Sequence, residues 1–171
     1  MLLCVTHALF ALLVVFTPPR GGEPVLAPHV RARGGEAYVT ELGAWVHSAA
    51  ELEHVSPSLL AFLLYLESSG DSSKVEPKTG SEGLMQLNPG SPWGMAWKHA
   101  CELEPDRCEE LNVVFGARAL RAGFDACGDD AVQAVSFYRS GRCVPKKRKV
   151  RRRSAWVVER AAQLESGHGS T

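Results

Sequence analysis

Neither sign of charge is in excess: 19 Lys and Arg face 19 Asp and Glu in 171 residues, a formal net charge of zero. Such a balance removes any general electrostatic case for an anionic partner and leaves only local clusters to be read. Sustained apolar/polar alternation is also missing, so no segment demands a strand, and neither an internal repeat nor an extended low-complexity stretch is present. Cys101, Cys108, Cys127 and Cys143 lack the close CxxC spacing typical of structural zinc, and His47 and His54 stand without a matching ligand set. Neither metal nor cofactor is therefore expected. A Ser-His-Asp nucleophile arrangement is likewise absent around Ser68.

Long apolar runs are scarce too. The stretch from Met1 to Phe16 is below the length of a comfortable membrane span, and Thr17-Pro18-Pro19-Arg20-Gly21-Gly22 breaks it. It resembles the apolar region of a secretory signal that lacks its basic leader, so residues 1–27 are expected to be a signal segment, ending at Ala27. Export, to a periplasm or beyond the cell, is the expectation. Without that segment Cys4 is lost and four cysteines remain, an even number suited to two disulfides in an oxidising compartment. Three pairings are possible; Cys101–Cys108 and Cys127–Cys143 are the local ones.

An apolar fraction of 45% is ordinary for a folded protein. The length suits one domain with a processing segment and a tail. Residues 28–35 are rich in Gly, Pro and Arg and read as a linker, 36–166 as the domain, and 167–171 as a flexible tail. Helical spacing is expected from Glu36 to about His54, with Trp45 as a core aromatic. Further helices are expected at Trp93–Leu103, around Leu111–Ala119, at Ala131–Tyr138 and at Ser154–Leu164. A mainly α domain follows.

The most informative stretch runs from Val55 to Asn88. Ser56 is suited to cap a helix whose first residue, Pro57, has no N–H to lose. Leu60, Leu63, Leu64 and Glu67 fall on one face at i, i+3, i+4 and i+7, which places a carboxyl group at the end of a core-facing stripe. That position suits a group that delivers a proton to a leaving group. Gly70 to Thr79 reads as a loop over a cleft, and Gly80 and Gly83 permit tight geometry before a short helix or turn at Leu84–Leu87. Gln86 offers amide donors and a carbonyl acceptor to a polar ligand.

Glu67-Ser68, Gly80 with Gly83-Leu84-Met85-Gln86, Asn112 with Gly116, and Phe137-Tyr138-Arg139-Ser140-Gly141 occur in one order and in helical contexts. Together they resemble the lysozyme-like lytic transglycosylases of the soluble type, enzymes that cleave the glycan strands of bacterial peptidoglycan. The resemblance covers roughly His54 to Trp156. It implies a single lysozyme-like domain in which Glu67 is the acid and then the base. It also implies cleavage of the β-1,4 bond between N-acetylmuramic acid and N-acetylglucosamine, leaving 1,6-anhydro ends.

Tyr138 would stand beside Glu67 or the substrate N-acetyl group, and Ser68, Met85 and Gln86 would join it in the sugar site. Asn112 and Gly116 would be architectural. Two positions depart from the pattern: Arg139 stands where the family commonly has Asn, and Glu76 where a small polar residue is common. Glu76, with Asp71, supplies a possible second carboxylate, which keeps open a goose-type-lysozyme-like muramidase that hydrolyses the same bond. A non-catalytic wall-binding module is a further alternative. The expected partner is the peptidoglycan strand, acted on by a monomer. The basic run Lys146–Arg153 could contact anionic wall polymers, or, in a distant alternative, nucleic-acid phosphates; a nucleic-acid partner is not expected of an exported, disulfide-paired domain.

Overall fold

A computed structural model describes residues 28–167 of the chain. The expected signal segment, residues 1–27, lies outside the described residues, as do residues 168–171 of the tail. The elements are α1 (Pro28–Ala32), α2 (Glu36–Leu52), α3 (Pro57–Ser68), α4 (Pro92–Leu103), a 3-10 turn (Pro105–Arg107), α5 (Cys108–Cys127), α6 (Ala131–Ser140) and α7 (Arg148–Gly167). Among the described residues there is no strand beyond two isolated bridges, and no helix is long and apolar enough to cross a membrane.

The residues expected as a linker begin instead with a short helix. Val30 is fully buried in the core, and Gly34 and Gly35 take positive φ values of 108° and 59° to turn the chain into α2. One apolar anchor followed by two permissive glycines is enough to dock a segment whose composition reads as a connector. Helix α2 then buries Val39, Leu42, Val46, Ala49 and Ala50 along one stripe. Trp45 packs against that core from a half-buried position.

Helix α3 starts as its sequence dictates: the Ser56 hydroxyl accepts the Leu59 N–H at 3.1 Å, and Pro57 occupies the first turn. Leu59 to Leu64 are all buried, so this helix is apolar around its whole circumference. A helix of that kind must be enclosed. It packs between α2 and α7, with Phe62 edge-on to Trp156 at a centroid distance of 6.1 Å.

Helix α5 is the other hub and packs against α2, α4 and α6. Gly123 lets α6 approach closely, because a Cβ there would lie 2.6 Å from the Ala134 carbonyl oxygen. The local disulfides are both formed: Cys101–Cys108 ties α4 to the start of α5, and Cys127–Cys143 ties the end of α5 to the segment after α6.

Helix α7 begins six residues earlier than the apolar spacing indicates, so Arg148–Arg153 is helical. Lys and Arg are good helix formers, and buried Ser154, Val157 and Ala161 anchor the helix behind them. The same helix continues through Gly167, which moves the expected tail boundary by one residue.

Glu109, on the first turn of α5, gathers the amino-terminal elements. It accepts Arg33 Nη2 at 2.5 Å, Ser72 Oγ at 2.9 Å and the Tyr38 hydroxyl at 3.5 Å. Burial first, and then the Glu109 charge, push the Tyr38 phenol up to about 12. In the unfolded chain a tyrosine loses its proton near pH 10. The folded form binds the proton more tightly, so this stabilisation is complete below pH 10 and is lost as pH rises towards 12. Tyr38→Phe is expected to flatten that alkaline limb of a stability-versus-pH curve measured by urea unfolding.

Candidate active site

Glu67 is positioned by the way α3 ends. Ser69 adopts the left-handed conformation with φ 57°, and its N–H bonds the Tyr65 carbonyl at 2.9 Å. Ser68 turns inward and is buried; its hydroxyl donates to the Leu64 carbonyl and accepts the Gly70 N–H at 3.1 Å. The Glu67 carbonyl accepts Lys74 Nζ from the following loop. With the backbone held on both sides, the Glu67 side chain projects into a cleft of about 640 Å³.

The opposite wall is the turn at residues 83–87. It is closed by reciprocal bonds between Glu82 and Leu87, each N–H to the other's carbonyl at 3.0 Å, so the segment is a turn rather than a helix. Asn112 of α5 seats it: Oδ1 accepts the Met85 N–H at 2.7 Å, and Nδ2 donates to the Glu82 carbonyl at 3.5 Å. Only glycine fits at 83, where a Cβ would stand 2.6 Å from the Asn112 amide, and at 116, where it would stand 2.5 Å from Met85 Cγ. Asn112 and Gly116 are thus architectural.

Three of the expected sugar-site residues take unexpected roles. Met85 is fully buried and packs its side chain against Gly116, while Ser68 lies under the helix end; neither lines the cleft. Both are adjacent in sequence to residues that do, and the turn that exposes one neighbour buries the other. Gln86 does line the cleft, with φ 49°, but its amide nitrogen donates to the carbonyls of Lys74 at 2.9 Å and Gly83 at 3.0 Å. Its two amide hydrogens are spent on the loop, and only the side-chain carbonyl is left for a ligand.

Tyr138 reaches the same cleft from α6 and donates its hydroxyl to the Met85 carbonyl, which bolts α6 to the turn. Burial, reinforced by the Glu67 charge and partly offset by Arg139, pushes its phenol well above the ordinary tyrosine value. At neutral pH it is a neutral hydrogen-bonding group. Its neighbour Arg139 donates Nε to Glu67 Oε1 at 2.6 Å, an ion pair with both side chains only 13–15% exposed. Glu67 Oε2 carries no hydrogen bond among the described residues.

Glu76 lines the cleft on the loop side and has no ion-pair partner among the described residues. Asp71 does not line it; its carboxylate accepts the Ser73 N–H and hydroxyl at 3.0 and 2.6 Å and braces the loop. The cleft also contains Lys74, Trp93 and Arg153, which spacing alone does not connect to Glu67. Arg139 is the one such residue with a sequence signal, the replacement of the Asn that commonly follows the Tyr.

The domain is mainly helical and carries the Glu67 and Glu76 carboxyl groups in one cleft, an arrangement in keeping with a lysozyme-like class. Residues 45–157 match the family model described as the Transglycosylase SLT domain, and the chain belongs to that family. Membership indicates a peptidoglycan-related, glycan-cleaving class of activity. Comparison with curated proteins and with solved structures returned no match.

Proposed function

We propose that this protein is an exported peptidoglycan lytic transglycosylase that cleaves the β-1,4 bond between N-acetylmuramic acid and N-acetylglucosamine. The observation that carries this reading is Glu67, in the cleft of a domain that matches the transglycosylase family. With Oε1 held by Arg139, Oε2 is the oxygen available to carry a proton. Glu67 gives that proton to the glycosidic oxygen as the bond to muramic acid C1 breaks, and Arg139 accompanies the carboxylate charge that results. The carboxylate then removes the proton from the muramic acid C6 hydroxyl as that oxygen bonds to C1. A 1,6-anhydro ring forms, and Glu67 is protonated again.

One acid/base suffices because the substrate supplies the nucleophile, and an internal hydroxyl outcompetes external water through proximity. Gln86 offers its side-chain carbonyl to a sugar hydroxyl or amide N–H, Trp93 a face for a sugar ring, and Tyr138 its phenol oxygen to the N-acetyl group.

A second reading rests on Glu76, which lines the same cleft and could activate water as a general base. Mass spectrometry of products from purified sacculi separates the two. Anhydro ends are expected from the native protein, unchanged in Glu76→Gln. Reducing ends that disappear in Glu76→Gln would replace transglycosylation by hydrolysis.

A further inference from the structure

Beside the cleft lies a second recess of about 310 Å³, lined by Arg139, Arg142, Lys146 and Lys147 together with Pro145 and Val150. Arg139 lines both cavities, so the recess adjoins the site that holds Glu67. Its Nε is committed to Glu67, while Nη1 is buried without a hydrogen-bond partner among the described residues. Arg142, Lys146 and Lys147 are exposed and make no ion pair among those residues. Lys147, Val150 and Arg153 follow at i, i+3 and i+6, and Arg153 lines the main cleft. Val150 borders the recess and Arg153, three residues on, the cleft, so the first turns of α7 stand between the two.

Arg142, Lys146 and Lys147, three cations without an ion-pair partner among the described residues, crowd one pocket and repel one another, a state that a bound oxyanion relieves. No acidic residue stands in the first turn of α7 to supply that charge from within. An anion from outside the turn can supply it.

We propose that the recess is a subsite for a carboxylate on the peptide that muramic acid carries, placed one step from the scissile bond through Arg139. This rests on the peptidoglycan-cleaving reading of the cleft. Position favours the peptide over a free polymer: the recess shares Arg139 with the cleft, so a group attached to the strand being cut lies within its reach. Bidentate contact by Arg142 and point charges from the lysines suit a carboxylate that varies in exact placement. The subsite makes this chain selective for peptide-bearing strands with ionised carboxylates.

The test uses the full protein and the triple variant Arg142→Ala, Lys146→Ala, Lys147→Ala on two substrates. One is native glycan strands; the other is the same strands with carboxylates converted to methylamides. The native protein is expected to show at least a tenfold higher kcat/KM on native strands, expressed mainly in KM. The variant is expected to lose that preference while retaining full activity on the amidated strands, which also shows that it is folded. Equal activity of the native protein on both substrates would overturn the proposal, as would a variant that keeps the preference.

Binding of a disaccharide-peptide and of its amidated form to the Glu67→Gln protein, followed by calorimetry, is read independently of turnover. Tenfold weaker binding of the amidated form there supports the subsite even if no product is ever released, whereas turnover failure with both substrates sinks only the underlying activity. Strands stripped of phosphodiester-linked polymers with hydrofluoric acid form the last arm. Loss of the preference after stripping would assign the recess to a phosphate and overturn the carboxylate.

Discussion

Glu67→Gln is expected to reduce release of 1,6-anhydromuropeptides by about 10³-fold or more, because in the proposed mechanism one side chain performs both proton transfers and each general acid or base step contributes roughly 10²–10⁴. The amide preserves shape and still accepts the Arg139 bond, so the helical circular-dichroism signal should persist. It removes the charge opposite a guanidinium that is 13% exposed, which is expected to cost about 1–3 kcal/mol of stability. Adding Arg139→Gln should restore part of that stability and none of the activity. The double variant therefore separates the structural share of the ion pair from the catalytic one. A Glu67→Gln protein that releases anhydro products at the native rate would remove Glu67 from the mechanism.

Asn112→Ala should be the most damaging small substitution away from the carboxyl group. It leaves the Met85 N–H buried without its 2.7 Å acceptor, at an expected cost of about 2 kcal/mol. For a domain of this size that corresponds to a melting point lower by roughly 4–8 °C in calorimetry. Activity should fall as well, since the Met85 carbonyl is the acceptor that holds Tyr138 and the turn carries Gln86 into the cleft. Asn112→Asp keeps the acceptor and loses the donor to the Glu82 carbonyl at 3.5 Å, a longer bond, so it should lie between alanine and the native protein. If Asn112→Ala unfolds at the native temperature, the turn is seated by packing of Met85 on Gly116 alone.

Local signals in the chain match the structure where the governing interactions are short in sequence. Ser56 caps α3 through an N–H three residues on, and the paired cysteines are separated by 7 and 16 residues. Glu67, Gln86 and Tyr138, which the family resemblance groups together, all line the cleft. Ser68 and Met85 defeat the same reasoning. A motif marks a stretch, and neighbouring residues in a turn point to opposite sides.

The placement of Val30 in the core and the helical state of Arg148–Arg153 depend on surfaces contributed by distant segments. A Gly/Pro/Arg-rich composition and a charge run contain no record of those surfaces. The Arg139–Glu67 pair spans 72 residues, and only the docking of α6 beside the end of α3 brings it within 2.6 Å.

Periodicity and capping, readable along the chain, were thus enough for a mainly helical domain; the cysteine positions favoured the two local disulfides among three pairings, and the family resemblance singled out Glu67. The helices and the disulfides rest on interactions within a few turns of chain. Tertiary structure alone decided what surrounds that carboxyl group: a guanidinium on one carboxylate oxygen, the other oxygen without a hydrogen bond among the described residues, Gln86 with its donors already spent, and a basic recess beside the cleft. Those features arise from helices packed against one another, and the distances between packed helices are set by side chains far apart in the chain.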